Sequence, residues 1–295
     1  MEPAREVRWE RMLRHELEAA FEQCPAVYFA YGLCEPHGPQ NAVGLDALKA
    51  HAILVTLARE HGGIVAPPDF WHVHELGGYA AWAHEWIGEL RPWLTAVPPW
   101  VHFKSVCYQL RAAEVLGFEA ALLLTGHYGP NWMDLNTVLE KIQPHLRMRV
   151  YGLPDFEANK PGFDGDGAGG DHAGKVETSL LWALQPESVD VSRVHEPGDK
   201  PFFAMGPDAG QASREIGERM VADEVRWLKA KRDELLAAHD PATSSRLRTF
   251  DDVEGFWRDE IQPIVPDLKS MQNFAGDEPP LDSRWRENFE VGDWR

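Results

Sequence analysis

Four short apolar runs, separated by stretches with helical spacing, restrict what this chain can fold into. Residues 26–33 are apolar, aromatic and β-branched and are punctuated by Pro25 and Gly32; residues 64–68, 118–125 and 148–153 read as further short strands. Runs of this length with turn residues at their ends read as buried strands. Between and beyond them, apolar residues recur at helical spacing over residues 4–23, 46–61, 103–116, 133–142, 175–184 and 211–238. Such alternation predicts an α/β protein, a layered helix–sheet–helix with a largely parallel central sheet.

The strand-end loops hold the residues with chemistry. After residues 26–33 come Glu35, His37 and Asp46, set among Pro36, Gly38, Pro39 and Gly44. Glu35 and His37 are two apart, so in extended backbone their side chains share a direction. Asp46 begins the next helix, as a cap or a first-turn acid. Two carboxylates and an imidazole form a ligand set suited to zinc, manganese or iron. The same residues are also compatible with a solvated acid, a backbone-bonded histidine and a simple helix cap. Residues 118–125 deliver Gly126-His127-Tyr128-Gly129, and a third loop carries Asp171-His172-Ala173-Gly174-Lys175-Val176-Glu177-Thr178-Ser179. In a parallel sheet such loops converge on one edge, so residues far apart in sequence can meet.

Taken together and in this order, the three segments resemble the creatininase (creatinine amidohydrolase) family over roughly residues 25–185. Glu35-Pro36-His37-Gly38-Pro39 with Gly44-Leu45-Asp46 is similar to its Glu-x-His-Gly-Pro-His and Gly-x-Asp signature. Thr125-Gly126-His127 is similar to its Asn-Gly-His motif, and residues 172–179 match His-Ala-Gly-x-x-Glu-Thr-Ser. The resemblance implies a layered α/β hydrolase, often hexameric, that binds one or two divalent ions and cleaves amide-type C–N bonds. It implies Glu35, His37, Asp46 and His127 as ligands, with Asp46 able to bridge two ions. Glu177 becomes a ligand or a nearby catalytic acid, His172 the proton shuttle, and Tyr128 a substrate-lining residue. Asp171, adjacent to His172, is a further substrate-binding candidate. Two cations sharing a carboxylate lower the pKa of a water between them and polarise a carbonyl, which is what amide hydrolysis needs.

The chain departs from that pattern in four places, one of them the segment from His127 to Asn131, which is one residue longer than the family's His-Gly-Gly-Asn. Gln40 stands where the family has a second histidine, and Thr125 replaces the asparagine. Gly129 stands where creatininase itself carries an acidic second-metal ligand, which leaves Glu177 to replace it and argues against creatinine as the substrate. A small amide, cyclic amide or formamide is therefore the expected substrate class. The alternatives are metal-assisted ring opening of a cyclic polyol diketone and a non-catalytic metal-binding protein of the same fold.

Composition limits the partners. The 295 residues carry a formal net charge of −18, which argues against nucleic acid or an anionic membrane surface. Three scattered cysteines and a charged start without an apolar signal segment make the cytoplasm the expected compartment. A hydrolase domain is expected over 1–245, and an extension over 246–295 packing on it or on a neighbouring subunit. Residues 69–100, dense in tryptophan and histidine, read as an ordered excursion over the site or at a subunit contact. Its histidines, His72, His74 and His84, with His102 beyond it, read as packed among the tryptophans or lying on the surface.

Overall fold

The computed structural model describes residues 5–74, 87, 91–159, 171–196, 203–271 and 282. Strands β1 (Ala26–Tyr31), β2 (Ile64–Val65), β3 (Ala120–Thr125) and β4 (Arg149–Pro154) form one sheet in the order β2-β1-β3-β4. Every pairing is parallel. The helices are α1 (Arg14–Gln23), α2 (Leu45–His61), α3 (Pro99–Leu116), α4 (Asn131–Ile142), α5 (Asp155–Asn159), α6 (Lys175–Leu184), α7 (Arg214–Ala238) and α8 (Phe250–Phe256).

All residues of β1 and β3 are buried, as strands covered on both faces must be. Pleating divides them between two cores. Val27, Phe29, Tyr31, Ala121 and Leu123 meet Val106 and Leu110 of α3, Val138 of α4, and Val253, Phe256, Ile261 and Val265 near the C-terminal end. Tyr28, Ala30, Leu122 and Leu124 meet Ile53, Leu54 and Leu57 of α2 and Val225 and Leu228 of α7. Each such aliphatic side chain, fully buried, contributes roughly 1.5–3 kcal/mol. The described part of the extension beyond 246 thus lies in the same core as the sheet. It is tied further by Asp134 of α4, which accepts the backbone N–H groups of Lys269 and Ser270 at 2.7 Å each.

Register places the site. Tyr31 pairs with Thr125 and Thr125 with Pro154, so β1, β3 and β4 end level with one another. The chain leaves β1 for β2 on one side and later returns for β3 on the other. The β1–β3 boundary is therefore the switch point, where open α/β sheets form their crevice. The first turn of α2 lies across that edge. A Cβ on Gly32 would sit 2.3 Å from Ala47 N, and one on Gly126 would sit 2.2 Å from Asp46 O. Both positions exclude any side chain, which is why Asp46 reaches the strand ends.

One expected element is shorter. The helix anticipated from residue 4 begins at Arg14, because Val7 O accepts the Val65 N–H at 2.9 Å and Arg8 bridges to the same strand. A tertiary bond at the sheet edge overrides the helical spacing there. Residues 75–86 and 88–90 of the excursion, His84 among them, lie outside the described residues, as do most of the loop 154–173 and most of the chain past 271. Cys24, Cys34 and Cys107 are unpaired thiols. No helix among the described residues is long and apolar enough to cross a membrane.

Candidate metal centre

Five side chains from three loops meet at the β1–β3 edge with almost no solvent exposure. Glu35, His37, Asp46, His127 and Glu177 are 3, 0, 0, 6 and 1 % exposed. The loop after β1 closes on itself through the Glu35 N–H to Val43 O bond, 2.9 Å. Within it His37 Nδ1 lies 3.0 Å from Glu35 O, which turns Nε2 inward. An imidazole anchored on one nitrogen by a backbone carbonyl is oriented to ligate through the other.

Asp46 stands in the middle. Its Oδ1 lies 3.0 Å from His37 Nε2 and its Oδ2 lies 3.4 Å from His127 Nδ1. His127 Nδ1 is also 2.8 Å from Glu35 Oε1, and His37 Nε2 is 3.8 Å from Glu177 Oε2. Two ligand sets therefore share Asp46: Glu35, Asp46 and His127 on one side, and His37, Asp46 and Glu177 on the other. In each, one donor atom per residue lies within 4.8 Å of the others.

The atoms at the centre fit a cation better than they fit each other. His37 Nε2 and both Asp46 oxygens are buried without a hydrogen bond among the described residues. Buried polar atoms are almost always satisfied, so three orphans facing one another need an electrophile. The electrostatics agree. Burial opposes the charge on Glu35, yet the His127 imidazole holds its carboxyl below the usual range. Burial likewise opposes Asp46, and His37 and His127 pull it well below. Burial would lower His37, but Asp46, Glu35 and Glu177 outweigh it and hold the imidazole up at about 9. This is the signature of three carboxylates wanting positive charge between them.

The third loop is shaped by backbone strain. Ala173 adopts φ +49°, a left-handed conformation costly for alanine, and its N–H donates to Glu177 Oε2 at 2.8 Å. Gln40 donates to Ala173 O at 2.9 Å, so the residue replacing the family histidine ties the first loop to the third. Thr125 Oγ1 meets Asn131 Oδ1 at 3.3 Å, which shapes the turn around His127.

The remaining expected residues are placed as follows. His172 stacks on His37, with ring centroids 4.7 Å apart, and its Nε2 lies 2.9 Å from Pro36 O. Burial pushes its pKa down, leaving a neutral imidazole. Asp171 accepts the N–H groups of Val176 and Glu177 at 2.7 and 3.1 Å, so both of its oxygens anchor the start of α6. The Tyr128 hydroxyl is buried and turned toward Asp155, and the ring lies under Lys49.

Sequence reading missed Lys49 and Asp155. Lys49 is wholly buried, with Nζ 2.6 Å from Glu177 Oε1 and 3.2 Å from Asp155 Oδ2. Its signal was available, because Asp46, Lys49, Ala50 and Ile53 fall on one helical face and a lysine interrupts an otherwise buried stripe. His74 also borders the site, its Nε2 3.5 Å from Glu35 Oε2, while the His72 and His102 rings pack 4.1 Å apart behind it. All three are buried; none lies on the surface.

A family model described as creatininase, creatinine amidohydrolase, matches residues 10–231. The chain belongs to the creatininase family. A creatinine amidohydrolase of Pseudomonas putida is 25 % identical over 253 residues, covering 72 % of this chain and 92 % of the relative. Among solved structures, a creatininase described as a Mn form aligns with TM-score 0.60 at 24 % identity, covering 78 % of this chain and 98 % of the other. A creatininase variant described as a Zn–Zn type gives TM-score 0.58 at 25 % identity over 78 % and 98 %. A putative creatinine amidohydrolase of Bacteroides fragilis gives TM-score 0.59 at 20 % identity over 80 % and 98 %. Creatininase membership makes the chain a hydrolase with a metal-binding residue set, and the neighbours share its layered fold.

Proposed function

We propose that this chain is a metal-dependent hydrolase that cleaves the C–N bond of a small amide or cyclic amide. One observation carries the reading: Asp46 directs its two oxygens at two different histidines, and those oxygens and His37 Nε2 are buried without a hydrogen bond among the described residues. Glu35, Asp46 and His127 would hold one divalent ion, and His37, Asp46 and Glu177 a second. Zinc, manganese and iron all suit carboxylate and imidazole donors. When bound, such ions supply a water of lowered pKa and polarise the substrate carbonyl.

The chain's own residues do the rest. The bond from His37 Nδ1 to Glu35 O fixes the ring so that Nε2 faces the centre. Asp171 pins the first turn of α6, which sets the position of Glu177. His172, neutral because of burial and held at Nε2 by Pro36 O, takes up a proton at Nδ1 and returns it to the leaving nitrogen. Tyr128, whose hydroxyl is turned toward Asp155, bounds the substrate with its ring. Nothing among the described residues favours diketone ring opening over amide cleavage.

The test pairs metal analysis with a substrate panel. Purified protein should carry divalent metal, and an amide panel should yield a new carboxylate together with a new amine, on one molecule where a cyclic amide opens and on two where a formamide or open amide is cleaved. Protein that takes up no metal even on reconstitution ends this reading.

A further inference from the structure

We infer that Lys49 is a positioning residue that divides the Glu177 carboxylate, holding Oε1 for itself so that only Oε2 serves the metal centre. The inference deepens the proposed hydrolase and rests on that reading. Lys49 is the one buried lysine among the described residues. An ammonium leaves water only when it is closely paired, and this one has three partners. Nζ lies 2.6 Å from Glu177 Oε1, 3.2 Å from Asp155 Oδ2 and 3.7 Å from the centroid of the Tyr128 ring. The other Glu177 oxygen has a different set of neighbours: it accepts the Ala173 N–H at 2.8 Å and faces His37 Nε2 at 3.8 Å. A carboxylate pinned at both oxygens cannot swing to chelate an ion through both. Glu177 is thereby a one-oxygen ligand.

The arrangement also links two parts of the centre. Lys49 and Asp46 lie one turn apart on α2, so the helix that supplies the shared carboxylate also carries the group that aims Glu177. Behind Lys49, Asp155 opens the short α5, and Asn159 of α5 donates to the buried Glu224 of α7. The ammonium is therefore braced from the sheet edge and from α7, which packs on the same face of the sheet as α2.

Cobalt(II) and manganese(II) titrations of the full-length protein test the assignment without a substrate, by visible absorption for cobalt and by metal analysis after dialysis. Lys49→Met should weaken metal affinity roughly 10–100-fold, the usual effect of losing a group that orients a ligand. Glu177→Gln should cost at least as much. Lys49→Met in the Glu177→Gln background should cost little more, since the first change acts through the second residue. Lys49→Met/Asp155→Asn removes one of the two carboxylates that the single change leaves without their cation, Glu177 being the other. It should recover part of the thermal stability lost in Lys49→Met while keeping the metal defect, which separates positioning from folding. Unchanged affinity in both Lys49 variants, or fully additive losses with Glu177→Gln, overturns the inference and leaves the hydrolase reading intact. A parent protein that binds neither ion overturns the hydrolase reading itself, and this inference with it.

Discussion

His37 Nε2 and Asp46 Oδ1 stand 3.0 Å apart with almost no solvent exposure, yet neither makes a hydrogen bond among the described residues. Their attraction is of charge, and it is met in the metal-free protein by a proton on His37 that persists up to about pH 9. A metal ion must displace that proton.

Metal uptake should therefore release about one proton per chain near pH 7, and affinity should rise with pH until about 9. Calorimetry in buffers of different ionisation enthalpy counts the proton. The metal-free protein should respond in the opposite sense. A histidine raised from 6.5 to about 9 in the folded state stabilises fully below 6.5, and that stabilisation is lost as pH rises through 9. Melting of chelator-treated protein between pH 6.5 and 9 should show the decline; a flat profile would contradict the His37–Asp46 pairing.

Asp46 and His127 should behave differently on removal. Asp46 belongs to both ligand sets and His127 to one. Asp46→Ala should abolish all metal binding, whereas His127→Ala should retain whatever the His37–Glu177 side holds. Elemental analysis of the two variants beside the parent decides between a shared and an unshared carboxylate.

His172→Ala should keep its metal and lose turnover by roughly 10²–10⁴-fold, the range for a positioned proton-transfer group. Stacking on His37 without membership of the two Asp46 sets is what predicts that split. Loss of metal in step with activity would make His172 a ligand, since it also lies within reach of Glu35 and His37.

Gly126→Ala should destabilise the fold by about 3 kcal/mol, the upper end of ordinary overpacking, because the new methyl would lie 2.2 Å from a backbone oxygen. Urea unfolding of the metal-free variant measures it. Gly210→Ala, whose Cβ would meet nothing nearer than 3.9 Å, is the matched control.

The strands were legible because burial on both faces writes a continuous apolar run, and β1, β3 and β4 lie within two residues of where those runs place them. The centre was legible for a related reason. Glu35, His37, Asp46, His127 and Glu177 follow strand ends or open helices, so the loop punctuation exposes them. Lys49 was not, because its meaning depends on Glu177, 128 residues away, and on Asp155, which only the level ends of the strands bring alongside. The start of α1 was misplaced for the same cause: the bond from Val65 N–H to Val7 O is invisible to local periodicity.

The seat of α2 on Gly32 and Gly126 has a consequence for anyone reshaping this protein. The backbone of Asp46 is at once a wall of the ion cradle and a contact surface for two strand ends, so the cradle has no hinge of its own. Chelation should lower the melting point of the whole sheet instead of loosening a loop, since ions held only by the native state act as ligands of the fold. A library seeking a new substrate is best confined to loop positions away from residues 32, 46 and 126, where chemistry can vary while the keystone stays in place.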